Sequence, residues 1–183
     1  MQRSACPDQQ VQTRRARQLE PSQLRGETLC IDGFNVLTTL EVALSGGVLL
    51  IGRDGVMRDI AGVHGSYRSV EETTPALQLL ADLTLDWGLA ACEFYLDQPV
   101  SNSGRLRAHL LEVAQLRTLP WSAHVVMNPD RELIRSPHVV ASADAQILDA
   151  GVRWTNLARN AVALAVASAT VVDLSACESG EPA

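Results

Sequence analysis

The chain has 183 residues and a formal net charge of -6, and 46% of its residues are hydrophobic. That is enough for one domain with a sizeable core, and it argues against general disorder. Every basic side chain other than histidine is an arginine, and the acidic balance excludes broad nonspecific coating of nucleic acid, whose affinity comes from neutralised phosphates.

The opening Met1-Gln2-Arg3-Ser4-Ala5 leads into polar sequence, and the longest apolar stretch, 161–172, is too short to cross a bilayer. The chain therefore reads as cytoplasmic, with no membrane contact. Residues 1–27 are polar, with Arg14, Arg15 and Arg17 close together and few apolar anchors. They read as a loosely attached helix or flexible arm whose arginines form a solvated face rather than a nucleic-acid contact.

From residue 28 strand and helix signals alternate. A strand over 28–32 ends in Asp32 and turns at Gly33, and a helix follows over 36–44 until Ser45-Gly46-Gly47 breaks it. Val48-Leu49-Leu50-Ile51 reads as a short extra strand or hairpin arm. The stretch 52–69 interleaves Gly52, Gly55, Gly62 and Gly65 with Arg53, Asp54, Arg58, Asp59, His64 and Arg68. Loops of that length are uncommon unless functional, so it reads as a phosphate-gripping flap, against the alternative of a solvated surface hairpin.

A helix is expected over 71–86, with Ala76, Leu77, Leu80 and Leu83 on its buried face and Gly88 stopping it. The strand Cys92-Glu93-Phe94-Tyr95-Leu96-Asp97 follows, then a turn over 99–104 and a helix over 105–116, with Ser101 or Ser103 as N-cap. Residues 121–127 read as a strand, Asn128-Pro129-Asp130 as a turn, and 131–135 as a short helical piece. Val139-Val140-Ala141-Ser142-Ala143-Asp144 is the third strand to end in an acid. A short helix over 145–150, a further helix within 152–169 and a last strand over 170–174 complete a domain of 28–175, and 176–183 read as a disordered tail.

Three strands that each end in a carboxylate carry the functional reading. In an open parallel α/β sheet the carboxyl ends of adjacent strands face one crevice, which brings Asp32, Asp97 and Asp144 together. Carboxylates that close repel one another unless a cation neutralises them, and oxygen ligands suit Mg²⁺ or Mn²⁺. With Glu72 reaching in from the start of its helix, four acids would hold one or two such ions and activate water against a phosphodiester. For any single acid, a turn or cap role explains the residue as well, and Glu71 rivals Glu72.

Asn35, Ser101, Asn102 and Ser142 lie within a few residues of the aspartates and would position water or phosphate, or else simply cap turns. Arg53, Arg58 and Arg68 would grip the substrate backbone by forked hydrogen bonds, unless Asp54 or Asp59 locks them in intramolecular pairs. Cys6, Cys30, Cys92 and Cys177 lie far apart and His64, His109, His124 and His138 are scattered. Inert thiols are expected rather than a zinc site. The sequence holds no phosphate-binding G-x-x-x-x-G-K-[ST] loop, no G-x-G-x-x-G after the first strand and no G-x-S-x-G elbow. Phe34, where an aspartyl phosphatase wants its second acid, argues against a phosphoaspartyl mechanism.

The run Ile31-Asp32-Gly33-Phe34-Asn35-Val36-Leu37, with Ala141-Ser142-Ala143-Asp144 far downstream, resembles the PIN-like nuclease superfamily, especially its NYN-type branch. Further stretches resemble an uncharacterised bacterial and archaeal group of PIN-like proteins. They include Arg53-Asp54-Gly55, Arg58-Asp59, Gly65-Ser66-Tyr67-Arg68, Tyr95-Leu96-Asp97-Gln98-Pro99 and Asn128-Pro129-Asp130. The resemblance implies an α/β fold, a Rossmann-like three-layer α/β/α sandwich with a mainly parallel central sheet, and Mg²⁺- or Mn²⁺-dependent cleavage of RNA. Asp32, Asp97 and Asp144 match the superfamily's strand-end acids, Glu72 its helix acid, and Asp149 is in reserve for the last. Members of the group carry a longer helical region before this domain, and a short form or a missing upstream domain would account for the arm seen here. The competing reading is a catalytically inactive module that uses the same crevice for RNA, a nucleotide or a protein partner, and a homodimer is a separate partner expectation. A phosphohydrolase of small nucleotides is a third.

Overall fold

The computed structural model describes residues 7–60 and 70–175. The far half of the glycine-rich stretch, with His64 and Arg68, lies outside the described residues, as do Cys6 and the tail that contains Cys177.

The central sheet is built from β1 (Thr28–Asp32), β4 (Ala91–Asp97), β5 (Trp121–Val126) and β6 (Val139–Ala141), all parallel, in the order β5-β4-β1-β6. Its strands alternate faces at every residue. Leu29, Ile31, Phe94, Leu96, Val139 and Ala141 point to one side, with α2 (Gly33–Leu44), α3 (Thr73–Asp86), α4 (Ser103–Arg117) and α7 (Leu157–Ala165). Cys30, Tyr95 and Val140 point to the other, into a smaller core with α5 (Pro129–Arg135) and α6 (Ala145–Asp149). Both faces are covered, which is why these strands read as near-continuous apolar runs. The chain is thus an α/β protein with a mainly parallel central sheet.

Four local features depart from the sequence expectation or go beyond it. Met57–Asp59, inside the stretch expected to be a flap, is strand β3, antiparallel to β2 (Val48–Ile51). Strand β7 (Thr170–Asp173) runs parallel to β2, forming a small separate sheet in the order β3-β2-β7. The free edge of β6 is taken by the backbone around Trp154, with Val140 N–H donating to Arg153 O at 2.9 Å and Thr155 N–H to Val140 O at 2.9 Å. At α4, Asn102 takes the N-cap place at φ 68°, in place of Ser101 or Ser103.

Residues 8–19 are tied to that edge. Helix α1 (Asp8–Arg17) runs into a bridge between Gln18 and Trp154, with Leu19 N–H donating to Trp154 O at 2.7 Å. The indole of the fully buried Trp154 donates to Arg14 O at 2.8 Å. Arg14 is therefore not on a solvated face. It is buried because two carboxylates, Asp54 and Asp149, meet its guanidinium.

Gly33 joins β1 directly to α2 and lies close against β4. A Cβ there would stand 2.5 Å from a Leu96 Cδ and 3.1 Å from the Tyr95 carbonyl oxygen. Gly33→Ala is expected to cost about 1–3 kcal/mol through overpacking, read by chemical denaturation. Among the described residues, no helix is long and apolar enough to cross a membrane.

Candidate functional site

The chain visits β1, β4 and β5 on one side of the sheet and then returns past β1 to lay down β6. The order reverses between β1 and β6, and in open α/β sheets ligands settle in the crevice at such a switch point, beyond the carboxyl ends of the strands. Ile31 is level with Ala141, which places Asp32 beside Ser142.

Asp32 leads straight into α2 without making a side-chain cap bond to it. Ser142 Oγ donates to Asp32 Oδ2 at 2.8 Å and accepts from Asp144 N–H at 3.1 Å, so one hydroxyl bridges two of the expected acids. Asn35 Oδ1 accepts from Ala143 N–H at 2.9 Å. That bond makes Asn35 a strut between α2 and the β6–α6 loop, a different task from holding water or phosphate. Asp144 Oδ1 accepts from Gln146 N–H at 2.7 Å as the N-cap of α6, leaving the capping reading satisfied by one oxygen.

Asp97 closes β4, half-buried, and its carbonyl accepts from Ser103 Oγ. The fourth acid is one the sequence reading left in a turn. Asp130 opens α5 just beyond β5, where Asn128 Oδ1 accepts from Arg131 N–H at 2.9 Å and Pro129 fills the first helical position. Like Asp144 it lies past a strand's carboxyl end and not in the strand, for β6 stops at Ala141, short of the acid expected to close it.

The electrostatics tie the four together. Burial pushes the Asp32 carboxyl up to about 7; the Ser142 bond and the Asn35 backbone oppose this, and the charges of Asp130 and Asp97 add to it. Burial and then Asp130 raise Asp97, while burial and then Asp144 raise Asp130. Asp130 is the acid the other three share, and the charged neighbours that raise these groups are all carboxylates.

Glu72 is half-exposed at the N-cap of α3, and its neighbour Thr73 donates to Glu41 of α2. The carboxylates that most raise Asp32 are Asp130 and Asp97. Asp149, the reserve acid, is engaged at both oxygens by Arg14.

Arg58 does not serve as a phosphate grip. It is buried, its Nη atoms donate to both oxygens of Asp54 at 2.9 and 2.7 Å, and its Nε donates to Ala143 O at 3.1 Å. The intramolecular lock by Asp54 is the outcome. Arg53 pairs with Asp8 across an exposed contact at 2.5 Å, and Arg68 lies outside the described residues. Ser101 and Asn102 are exposed in the turn that follows Asp97.

The donor set suits a hard cation: oxygen only, and like charges that burial leaves poorly screened. Among the described residues, however, no three His, Cys, Asp or Glu side chains close on a common point as a metal cage. Mg²⁺ does not require one, because it keeps several waters and is held by one or two carboxylates together with substrate phosphates.

A family model described as a domain of unknown function (DUF5616) matches residues 21–160, and the chain belongs to that family. All four aspartates fall inside the matched segment. The chain is also 30% identical to the uncharacterized protein MJ0935 of Methanocaldococcus jannaschii over 146 residues, covering 80% of this chain and 69% of that protein. No solved structure matches.

Proposed function

We propose that this member of the family is a PIN-like, divalent-metal-dependent ribonuclease whose site is the crevice between Asp32, Asp97, Asp130 and Asp144. The observation that carries the reading is Asp32, a buried carboxyl pushed up to about 7 among other carboxylates at the sheet's switch point. A group so unfavourable to the apoprotein at neutral pH calls for a counter-charge. The choice of RNA rests on the resemblance of Ile31-Asp32-Gly33-Phe34-Asn35 and its companion stretches to NYN-type nucleases.

One or two of Asp32, Asp97, Asp130 and Asp144, together with waters and substrate phosphates, would hold Mg²⁺ or Mn²⁺. Such an ion supplies activation of water and charge neutralisation at the phosphodiester. The remaining tasks belong to the chain. Ser142 fixes the Asp32 carboxylate through the 2.8 Å bond, and the buried floor below Asp32 keeps bulk water from one side. Arg105 and Arg131, both exposed, lie in the first turns of α4 and α5 beside Asp97 and Asp130. They take over the phosphate-gripping role that Arg58 does not fill.

The test is Mn²⁺ calorimetry on the native chain, Asp97→Asn and Asp130→Asn, followed by incubation of each with single-stranded and hairpin RNA. The native protein is expected to bind and cleave. Either variant should weaken Mn²⁺ binding by about tenfold or more and abolish cleavage, as loss of one charged ligand does. A native protein that neither binds Mn²⁺ nor cuts RNA overturns the nuclease reading and leaves the inactive binding module.

A further inference from the structure

We propose that Arg58 is a positioning residue for the acidic crevice, holding the β6–α6 loop in place through the Ala143 carbonyl, with Asp54 and Arg14 fixing its guanidinium. The proposal rests on the crevice being the working site.

The peptide units on both sides of Ala143 are pinned. Its N–H donates to Asn35 Oδ1 at 2.9 Å from the first turn of α2, and its C=O accepts from Arg58 Nε at 3.1 Å. On either side of it stand Ser142, which holds Asp32, and Asp144, which the Ser142 hydroxyl also meets. A backbone held at both ends fixes the positions from which Ser142 and Asp144 reach the crevice.

The far side of Arg58 is held as tightly. Its two Nη atoms form a fork on Asp54, and Asp54 Oδ2 also accepts from Arg14 Nη1 at 2.5 Å. Arg14 then places its Nε and Nη2 on the two oxygens of Asp149 at 2.8 Å each. Helix α6 is thereby gripped at its last residue by Arg14 of α1 and just before its first by Arg58 of β3. Gly52 leaves room for the cluster, since a Cβ there would stand 2.7 Å from Arg58 Nη1 and 2.8 Å from Asp54 Oδ1.

Buried ion clusters are poor devices for stability alone, because desolvating the charges offsets most of their attraction. They do fix geometry. The planar guanidinium is suited to this place because Nε and the Nη pair point to two different partners at once, which a lysine cannot reproduce.

Amide hydrogen exchange by NMR, with Mn²⁺ calorimetry alongside, on the native chain, Arg58→Lys and Asn35→Ala tests the proposal. Both variants remove one pin from Ala143, and Asn35→Ala leaves the buried charges untouched, so failure of Arg58→Lys to fold does not block the test. In each, the Ala143 and Asp144 amides are expected to exchange about tenfold faster with the β4 and β5 amides unchanged, and Mn²⁺ affinity to fall about tenfold, as for loss of an outer partner. Unchanged exchange at Ala143 and Asp144, or acceleration spread equally over β4 and β5, overturns the proposal. Local acceleration in a chain whose native form binds no Mn²⁺ upholds the pinning of the loop and overturns the metal reading alone.

Discussion

In metal-free protein, Asp32→Asn is expected to raise stability above neutral pH while removing Mn²⁺ binding. Asp32 is 8% exposed, and burial, resisted by Ser142 and reinforced by Asp130 and Asp97, moves its carboxyl from 3.8 to about 7. Below the unfolded value both states hold the proton, and ionising Asp32 costs the fold nothing. Between 3.8 and about 7 the folded state binds more protons than the unfolded chain, so stability falls as pH rises. Above about 7 the loss is complete, and at about 1.4 kcal/mol per pH unit it is on the order of 4 kcal/mol.

The asparagine carries no charge to desolvate, and its Oδ1 still accepts the Ser142 bond. Urea unfolding at pH 5 and pH 8 should show the native protein losing roughly 2–3 kcal/mol relative to Asp32→Asn between the two. Added Mn²⁺ at about a hundred times its Kd should return about 2.7 kcal/mol to the native protein and none to the variant. Parallel stabilities across that pH range would mean that Asp32 ionises at its ordinary value, and the crevice would lose its need for a cation. A residue whose removal both disables and stabilises is the signature of a working site held against its own electrostatics.

How much of this was legible in the sequence follows from what each signal can encode. Strand and helix periods report apolar residues, and they located β1, β4, β5, α2, α3 and α4 because those elements bury one face or both. A carboxylate at the last residue of a strand is equally visible, which is how Asp32 and Asp97 were found. Asp130 follows the same rule at β5 but stands four residues past Val126, behind Asn128-Pro129, where the turn signal hides it. Reading strand ends one helical turn further would have found it.

The Asp54 lock on Arg58, four residues apart, was one of the alternatives the sequence offered, but the burial of Arg14 was not legible, because charge in a sequence reads as solvent exposure unless its partner is known. Here the partners are 40 residues away for Arg14 with Asp54 and 135 away for Arg14 with Asp149. Pairing of β7 with β2 is of the same kind. Val48 stands level with Thr170 and Ile51 with Asp173, a pairing of segments far apart in sequence that no local pattern announces.

Asp54→Ala is expected to be the most destabilising change at the buried cluster, by about 3–5 kcal/mol, because it strands two guanidinium groups without their shared partner. The Arg14 and Arg58 side chains that it serves are 4% and 10% exposed, and Asp54 itself is 2% exposed. Burial alone would raise the Asp54 carboxyl, yet the bonds and charges of Arg58, the Val56 N–H and Arg14 hold it below its ordinary value. Its contribution is therefore present above the unfolded value and lost as pH falls through the folded one, which makes the native chain, and not Asp54→Ala, acid-labile in this range. Asp8→Ala, which breaks only the exposed pair with Arg53, should leave the unfolding midpoint in place.

The informative companion is the triple replacement Arg14→Met, Asp54→Leu and Arg58→Met. An apolar set of similar volume removes every buried charge at once and should restore most of the stability lost in Asp54→Ala. If the cluster served only to hold the fold together, that triple variant would also restore Mn²⁺ binding. With Arg58 as the clamp on Ala143 it should fold stably and still bind Mn²⁺ about tenfold more weakly than the native chain, because nothing in the apolar set can donate to that carbonyl. Stability and site geometry then separate in one protein, and full Mn²⁺ affinity in the triple variant would show that the clamp is dispensable.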